Sequence, residues 1–186
     1  MTAVPAILPA FAFIIEAEVH RDIAAREALL DRAMGPGRRR KSSEKIRRGR
    51  LPAEGLAFVA RGEDGRVVGT VRLWDVEVGD KRALLLGPLA VDPSLKSAGI
   101  GSALMRHAIL EATLLGHGAI LLVGDALYYE RFGFSADRTD RLAMPGPFEK
   151  HRLLAMELKA GALDGAQGVI GAAGRKVEAG RIALAA

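Results

Sequence analysis

Apolar residues recur along the chain in two rhythms, period two and period three to four, and the switches between them predict the elements. Phe11 to Ala17 read as a first strand, and a helix from about Asp22 to Met34 follows, stopped by the Gly-Pro-Gly at 35–37. Ser42 or Ser43 is placed to cap a short helix that runs to about Arg48. Leu56 to Arg61 is a strand, "GEDGR" at 62–66 is a hairpin turn whose Asp64-Gly65 pair accepts positive φ at little cost, and Val67 to Val78 is a longer strand. After a second turn at "GDKR", Ala83 to Val91 is apolar throughout and reads as a central strand. Gly99 to Leu115 is the longest helix, ended by "GHG" at 116–118. Ala119 to Val123 is a short buried strand, Asp125 caps a brief helix over 126–132 that Gly133 closes, and "RLLAMELK" at 152–159 is the last clear strand.

Hairpins first, then strand, helix, strand, helix: this order predicts an α+β fold, a central sheet flanked by helices. With 186 residues, 49% of them hydrophobic, the chain suits a single compact domain. From Ala160 the composition shifts to Gly and Ala without any aromatic residue. The domain is therefore expected over residues 1–159, with 160–186 a weakly specified tail ordered only in part against it.

The absence of cysteine excludes disulfides, thiolate metal sites and a cysteine-bound acyl group. Residues 4–15 are apolar enough for a signal peptide, but no Lys or Arg precedes them and the stretch ends at Glu16 and Glu18, so a cytoplasmic protein is expected. No apolar run reaches the roughly 18 residues a membrane helix needs, so no membrane partner is expected. The formal net charge of +5 is unevenly spread. Between Arg38 and Arg50, eight Arg and Lys residues face only Glu44, and the rest of the chain is close to neutral. Such a block attracts phosphates or acidic partners, or is simply a solvated face.

Two stretches carry candidate chemistry. In "LAVDPSLKSAGIGSALM", residues 89–105, a strand opens through glycines onto a helix N-terminus, where unpaired amides and the helix dipole make an anion site. Lys96 and Ser97 add a charge and a hydroxyl, while Gly99 and Gly101 keep the backbone bare. The dinucleotide fingerprint would want Gly or Ala where Leu104 stands, and a P-loop would want Gly-Lys-Ser/Thr where Gly101 meets Ser102. In "GDALYYERFGF", residues 124–134, a short capped helix after a buried strand carries Tyr128 and Tyr129, either a packing pair or a phenol placed to donate a proton. His20, His107, His117 and His151 show no metal-ligand spacing, so no metal is expected, and His107 with Glu111 reads as an i, i+4 surface pair.

Together the two stretches resemble the GNAT superfamily of acetyl-CoA-dependent N-acyltransferases, whose loop reads Gln/Arg-x-x-Gly-x-Gly/Ala and whose second element is Tyr-x-x-x-Gly-Phe, here Tyr129 to Phe134. Lys96 departs from the Gln/Arg position, keeping the charge but losing the fork of donors. The resemblance implies a GNAT-like fold with a central mixed, mostly antiparallel sheet, and acetyl-CoA as co-substrate. It implies that Leu89, Ala90 and Val91 run along the pantetheine arm, that Lys96, Ser97, Ala98, Gly99, Ile100, Gly101 and Ser102 hold the pyrophosphate, and that an N–H near Val91 polarises the thioester. The implied reaction is direct attack by an amine in a ternary complex, with Tyr129 as catalytic general acid and Tyr128 in reserve. Family members often carry a glutamate on the central strand as base; "ALLLGPLAV" holds none, leaving Asp75, Glu77 or a water relay. The basic segment would fall beside the acceptor, consistent with an acidic or phosphorylated amine, an acidic protein, the 3′-phosphate of CoA, or no ligand. The competing class is a non-catalytic CoA-sensing or nucleic-acid-binding module using residues 38–50, which the lack of aromatic residues in that block disfavours. The acceptor amine is not specified by the sequence, nor is the oligomeric state, for which a homodimer is one option.

Overall fold

The computed structural model describes residues 11–177. The start of the apolar stretch at 4–15 and the last nine residues of the tail lie outside the described residues. In chain order the elements are β1 (Phe13–Ala17), α1 (Ile23–Met34), α2 (Ser42–Arg47), β2 (Ala57–Gly62), β3 (Val67–Val78), β4 (Lys81–Val91), α3 (Ile100–Leu114), β5 (Ala119–Val123), α4 (Ala126–Tyr129), β6 (Leu142–Ala143), β7 (Leu153–Glu157), β8 (Gly168–Val169) and β9 (Gly171–Ala172). The long strands and helices fall within two residues or so of their predicted bounds. Short helical turns precede α1 and follow α4, extending both to the predicted spans.

Seven strands form one sheet in the order β1-β2-β3-β4-β5-β7, with β9 pairing the far end of β3. All neighbours are antiparallel except β4 and β5. This is the mixed, mostly antiparallel sheet that the family resemblance implies, built on the hairpin-then-crossover order read from the sequence. β3 and β4 are central, which is why their sequences are apolar on both faces. α3 packs on one face, where Leu104, Met105 and Ala108 meet Val71, Leu73, Leu84 and Leu86 in one core. The second face carries Trp74, Val76, Leu85 and Leu121, covered by Ile46 of α2 and by Leu163 and Ile170. None of the helices described is long and apolar enough to cross a membrane.

Two local expectations are corrected. Lys41, not a serine, occupies the cap position of α2, and Ser42 is its first, buried residue, with no side-chain cap bond. His107 is half-buried and packs edge-on against Phe58 at 4.6 Å between ring centroids; no ion pair or hydrogen bond joins it to Glu111 among the described residues.

Residues 160–177 have no apolar period, yet they are held by distant partners. Leu163, Ala166 and Ile170 are buried. Ala173 donates its N–H to the Asp75 carbonyl, Arg175 O accepts from Leu51 N, and Val177 N donates to Gly49 O. Backbone pairing with residues 49–51 and 75–77 therefore closes this stretch over the second face of the sheet. Ile170→Ala, which empties a fully buried site, is expected to cost about 2–4 kcal/mol in urea unfolding; a change under about 0.5 kcal/mol would mean that the stretch is only loosely attached.

Candidate active site

β4 is the strand on which the site is built. Its pairing with β3 runs Val78↔Lys81 to Gly69↔Val91, but between Leu86 and Leu89 it carries one residue more than its partner. That bulge falls at Gly87-Pro88, and the indole of Trp74 on β3 pins it by donating to the Gly87 carbonyl at 2.5 Å. On the other edge, β4 pairs with β5 only at Leu84↔Ile120 and Leu85↔Leu121. Beyond Leu85 the two strands part while β4 stays on β3. The Asp92 N–H is given to Val68 O, so by the two-residue alternation of the ladder the N–H groups of Leu89 and Val91 point into the gap that β5 leaves. Pro88, which has no N–H, sits where the ladder is already broken.

On the α3 side of this gap lies the glycine loop. Asp92 accepts from the backbone N–H of Ser94 at 3.0 Å and from its hydroxyl at 2.8 Å, which fixes the turn leaving β4. Ser97 takes φ 72° and Gly99 takes φ 81°, so the chain enters α3 through two left-handed residues. No side chain caps the first turn of α3, and its leading amides are left open. Lys96, Ser97 and Gly99 are exposed, Ile100 is buried in the core, and Ala98, Gly101 and Ser102 are partly covered. A Cβ on Gly101 would come 3.1 Å from the Tyr128 hydroxyl and 3.5 Å from Val91 Cγ2. The loop, the end of β4 and Tyr128 are thus one cluster.

On the opposite side of the gap lies a cavity of about 630 Å³. Its floor is Leu85–Leu89 of β4 with Leu122 and Val123 of β5, and Tyr129 stands at its head. Residues Lys96 to Ser102 do not line it. The walls are α1, the basic segment and Val177, so the C-terminal stretch reaches the site.

The two adjacent tyrosines therefore face different compartments. Tyr128 projects toward Gly101, with the Arg131 guanidinium 4.1 Å from its ring centroid. Tyr129 turns into the cavity, packed against Phe134 and edge-on to Tyr128 at 4.9 Å. Asp125 caps the short helix by accepting from Leu127 N at 3.1 Å, as the sequence predicts. The Tyr129 ring lies so close to Gly124 that a Cβ there would sit 2.2 Å from its edge, so only glycine leaves room for this rotamer. Burial pushes the phenol up to about 12, and Tyr128 adds to the shift.

The cavity's electrostatics are set by arginines. Arg38 binds Asp31 at 2.7 Å and Glu27 at 2.5 Å, Arg26 binds Glu27 at 2.7 Å, and Arg26 and Arg72 share Glu18. Burial pushes Glu18 up to about 7, and Arg26 pulls it back. Glu27 is held below the usual carboxylate range by its arginine partners, although burial opposes them. Arg47 is 11% exposed, touches Glu44 at 3.2 Å and lies 3.7 Å from where a Gly87 Cβ would be. Its charge is disfavoured by burial. The carboxylates lining the cavity are Glu27 and Glu44; Asp75 and Glu77, the acids expected from the sequence, do not line it.

A family model for the acetyltransferase (GNAT) domain matches residues 53–136, the span from the approach to β2 through both sequence motifs. The uncharacterised N-acetyltransferase YhbS of Escherichia coli (strain K12) is 30% identical over 147 residues, covering 75% of this chain and 87% of that protein. This chain belongs to the GNAT acetyltransferase family. The crystal structure of Escherichia coli YhbS in complex with CoA superposes with a TM-score of 0.75 at 28% identity, covering 88% of this chain and 91% of that one. A GNAT family acetyltransferase from Brucella melitensis, solved with acetyl-CoA, shares the fold at 24% identity with a TM-score of 0.58, over 83% of this chain and 99% of that one. The parted strands β4 and β5, the open helix terminus and Tyr129 thus sit on a GNAT scaffold.

Gly124→Ala is expected to force the Tyr129 ring from the cavity. Stability should fall by about 1–3 kcal/mol in urea unfolding, and kcat by about tenfold or more, while acetyl-CoA affinity stays within about twofold by calorimetry. Wild-type turnover in this variant would show that the phenol's position does not matter.

Proposed function

We propose that this GNAT member transfers the acetyl group of acetyl-CoA directly to an amine bound in the cavity. The observation that carries the reading is the gap between β4 and β5. It joins an open helix terminus on one side of the sheet to an arginine-lined chamber on the other, and Tyr129 stands at the junction.

In this reading the diphosphate rests on the amides that open α3, with Lys96 and Ser97 alongside and no side chain on Gly99 or Gly101 to obstruct it. The pantetheine arm runs along Leu89, Ala90 and Val91, taking the N–H groups that β5 does not use. An outward N–H of β4, at Val91 or Leu89, donates to the thioester oxygen as it gains charge, an interaction typically worth about 3–4 kcal/mol. The amine approaches from the chamber, the new C–N bond forms, the C–S bond breaks, and the nitrogen's proton is the one that must reach sulfur.

Tyr129 serves that last transfer. A phenol held near 12 remains protonated throughout the neutral range, so it always presents a donor to the departing sulfur. It is also a weaker acid than the thiol, whose pKa is about 8.5. Its role is therefore to stabilise the thiolate by a hydrogen bond and to relay a proton, not to give one up outright. Tyr128, at Gly101, is placed to bound the cofactor.

Acetyl-CoA is expected to raise the melting temperature; no shift at millimolar ligand would remove the proposal. Tyr129→Phe is expected to lower kcat by about 100-fold or more with acetyl-CoA affinity nearly unchanged, and unaltered turnover would move the role elsewhere. The sign of the pKa shift adds a pH test. Because the acid form persists up to about 12, kcat should show no alkaline fall from Tyr129 below about pH 11. A descending limb centred near 10 that vanishes in Tyr129→Phe would mean an unshifted phenol.

A further inference from the structure

Eight arginine and lysine residues line the cavity against the two carboxylates of Glu27 and Glu44. Part of that charge is neutralised by structure: Arg26 and Arg72 hold Glu18, and Arg38 holds Glu27 and Asp31. Arg47 differs. It is nearly buried, its only ion pair among the described residues is one contact with Glu44, and it lies beside Gly87 in the β4 bulge. No buried side-chain nitrogen among the described residues lacks a partner, so the guanidinium nitrogens that Glu44 does not hold keep some accessible surface, and Arg47 is one of the residues lining the cavity. Lys41 and Arg48 on the same wall have no ion pair among the described residues.

A solvated charge run spreads into water, where an arginine keeps its hydration. Here packing brings one guanidinium out of water and up to the strand bulge at which, in the reading above, transfer occurs. A fork of N–H donors held this way is matched by a planar or tetrahedral oxyanion, which can accept two of them at once. The volume is that of a small-molecule site. The loop that opens α3 is absent from the lining, so these arginines are on the wrong side of the sheet for the cofactor's diphosphate.

We propose that the acceptor is a small amine that carries its own oxyanion, a carboxylate or a phosphate, which Arg47 grips with Arg48 and Lys41 near it while the amino group is directed along β4 toward Tyr129. The proposal rests on the acetyltransferase reading and adds the substrate class. The close approach of Arg47 to Gly87 makes the spacer between the two groups short.

Matched amines separate the possibilities. Amino acids are compared with their amides, and 2-aminoethyl phosphate with ethanolamine, by thiol release from acetyl-CoA and by calorimetric binding to the protein saturated with CoA. At least one oxyanion-bearing amine should exceed its uncharged partner by about 30-fold or more in kcat/KM, or in affinity where turnover is slow, because a charge-assisted fork contributes roughly 10- to 100-fold. Which pair shows the ratio decides between carboxylate and phosphate. Arg47→Gln should reduce the ratio about tenfold or more through KM, leaving acetyl-CoA affinity unchanged, with Arg47→Lys between them. Should Arg47→Gln fail to fold, Arg48→Gln at an exposed position is expected to raise KM for the anionic member alone, by about threefold or more. The advantage should also shrink with added salt.

Acetyl-CoA binding with equal or better use of neutral amines, cationic amines or peptide N-termini would overturn this proposal alone. So would binding of no oxyanion-bearing amine to the CoA complex, or an unchanged ratio in the arginine variants. Failure to bind acetyl-CoA at all would overturn the acetyltransferase reading, and this proposal with it.

Discussion

One strand belonging to two neighbours unequally is what the site depends on. β4 is held along its length by β3 but released by β5 after Leu85. Backbone donors buried in a sheet must find partners, so a strand released on one edge either meets water or waits for a ligand. Two local features make the release possible without loosening the sheet. The extra residue at Gly87-Pro88 bends β4 away, and Trp74, buried in the second core, holds the bulge by its indole N–H. The indole thus serves at once as core filling and as a tie on the strand that forms the floor of the cavity.

Release of β4 opens the sheet from face to face, and the helices divide the two openings by charge. On the α3 side the donors are mostly backbone: uncapped amides, two left-handed residues and the end of a long helix. On the α1 and α2 side they are side chains, nearly all arginine. The first arrangement suits a ligand whose anionic part never varies, because backbone geometry cannot be tuned residue by residue. The second suits a ligand that distinguishes one family member from another. Adjacent tyrosines on one short helix serve both compartments, because successive residues on a helix point about 100° apart.

The large elements were legible from period and punctuation, since β3, β4 and α3 are long enough for their apolar rhythm to outweigh everything local. Both motifs were legible as well, and so was Tyr129 through its spacing from Gly133 and Phe134. What could not be read is whatever depends on distant pairing. Residues 160–177 look like filler because much of their order comes from pairing outside the stretch, with Arg141 and Ala143 and, farther away, with Gly49, Leu51 and Asp75. Arg26, Glu27 and Arg72 carry no sign of sharing a cavity with residues 38–50, because α1 and β3 bring them there. Asp75 and Glu77 looked suitable as bases only because strand membership is visible in sequence and the boundaries of a cavity are not. The signal for Glu44 was present, a lone acid amid eight cations, but it reads equally well as an exposed helical pair.

The missing base becomes less of a problem once the chamber's charge is considered. An ammonium must lose a proton before its nitrogen can attack, and a carboxylate is one side chain that can receive it. Glu27 is poorly suited to that task, since its arginines hold it below the ordinary range. But even with Arg26 and Arg72 offset by Glu18, and Arg38 by Glu27 and Asp31, the cavity wall carries Lys41 and Arg48 with no ion pair among the described residues, and these disfavour any further positive charge. An entering ammonium is therefore pushed toward its neutral form by the same wall that would attract its oxyanion, and its proton can leave to water through the mouth of the chamber. Under the proposed reaction the wall then does two things at once: it binds the substrate by one end and lowers the proton affinity of the other. The opposing effect is the substrate's own anion, which cancels the field of the guanidinium it binds, so the shift comes from the cationic side chains of the wall that stay unpaired once the oxyanion is seated.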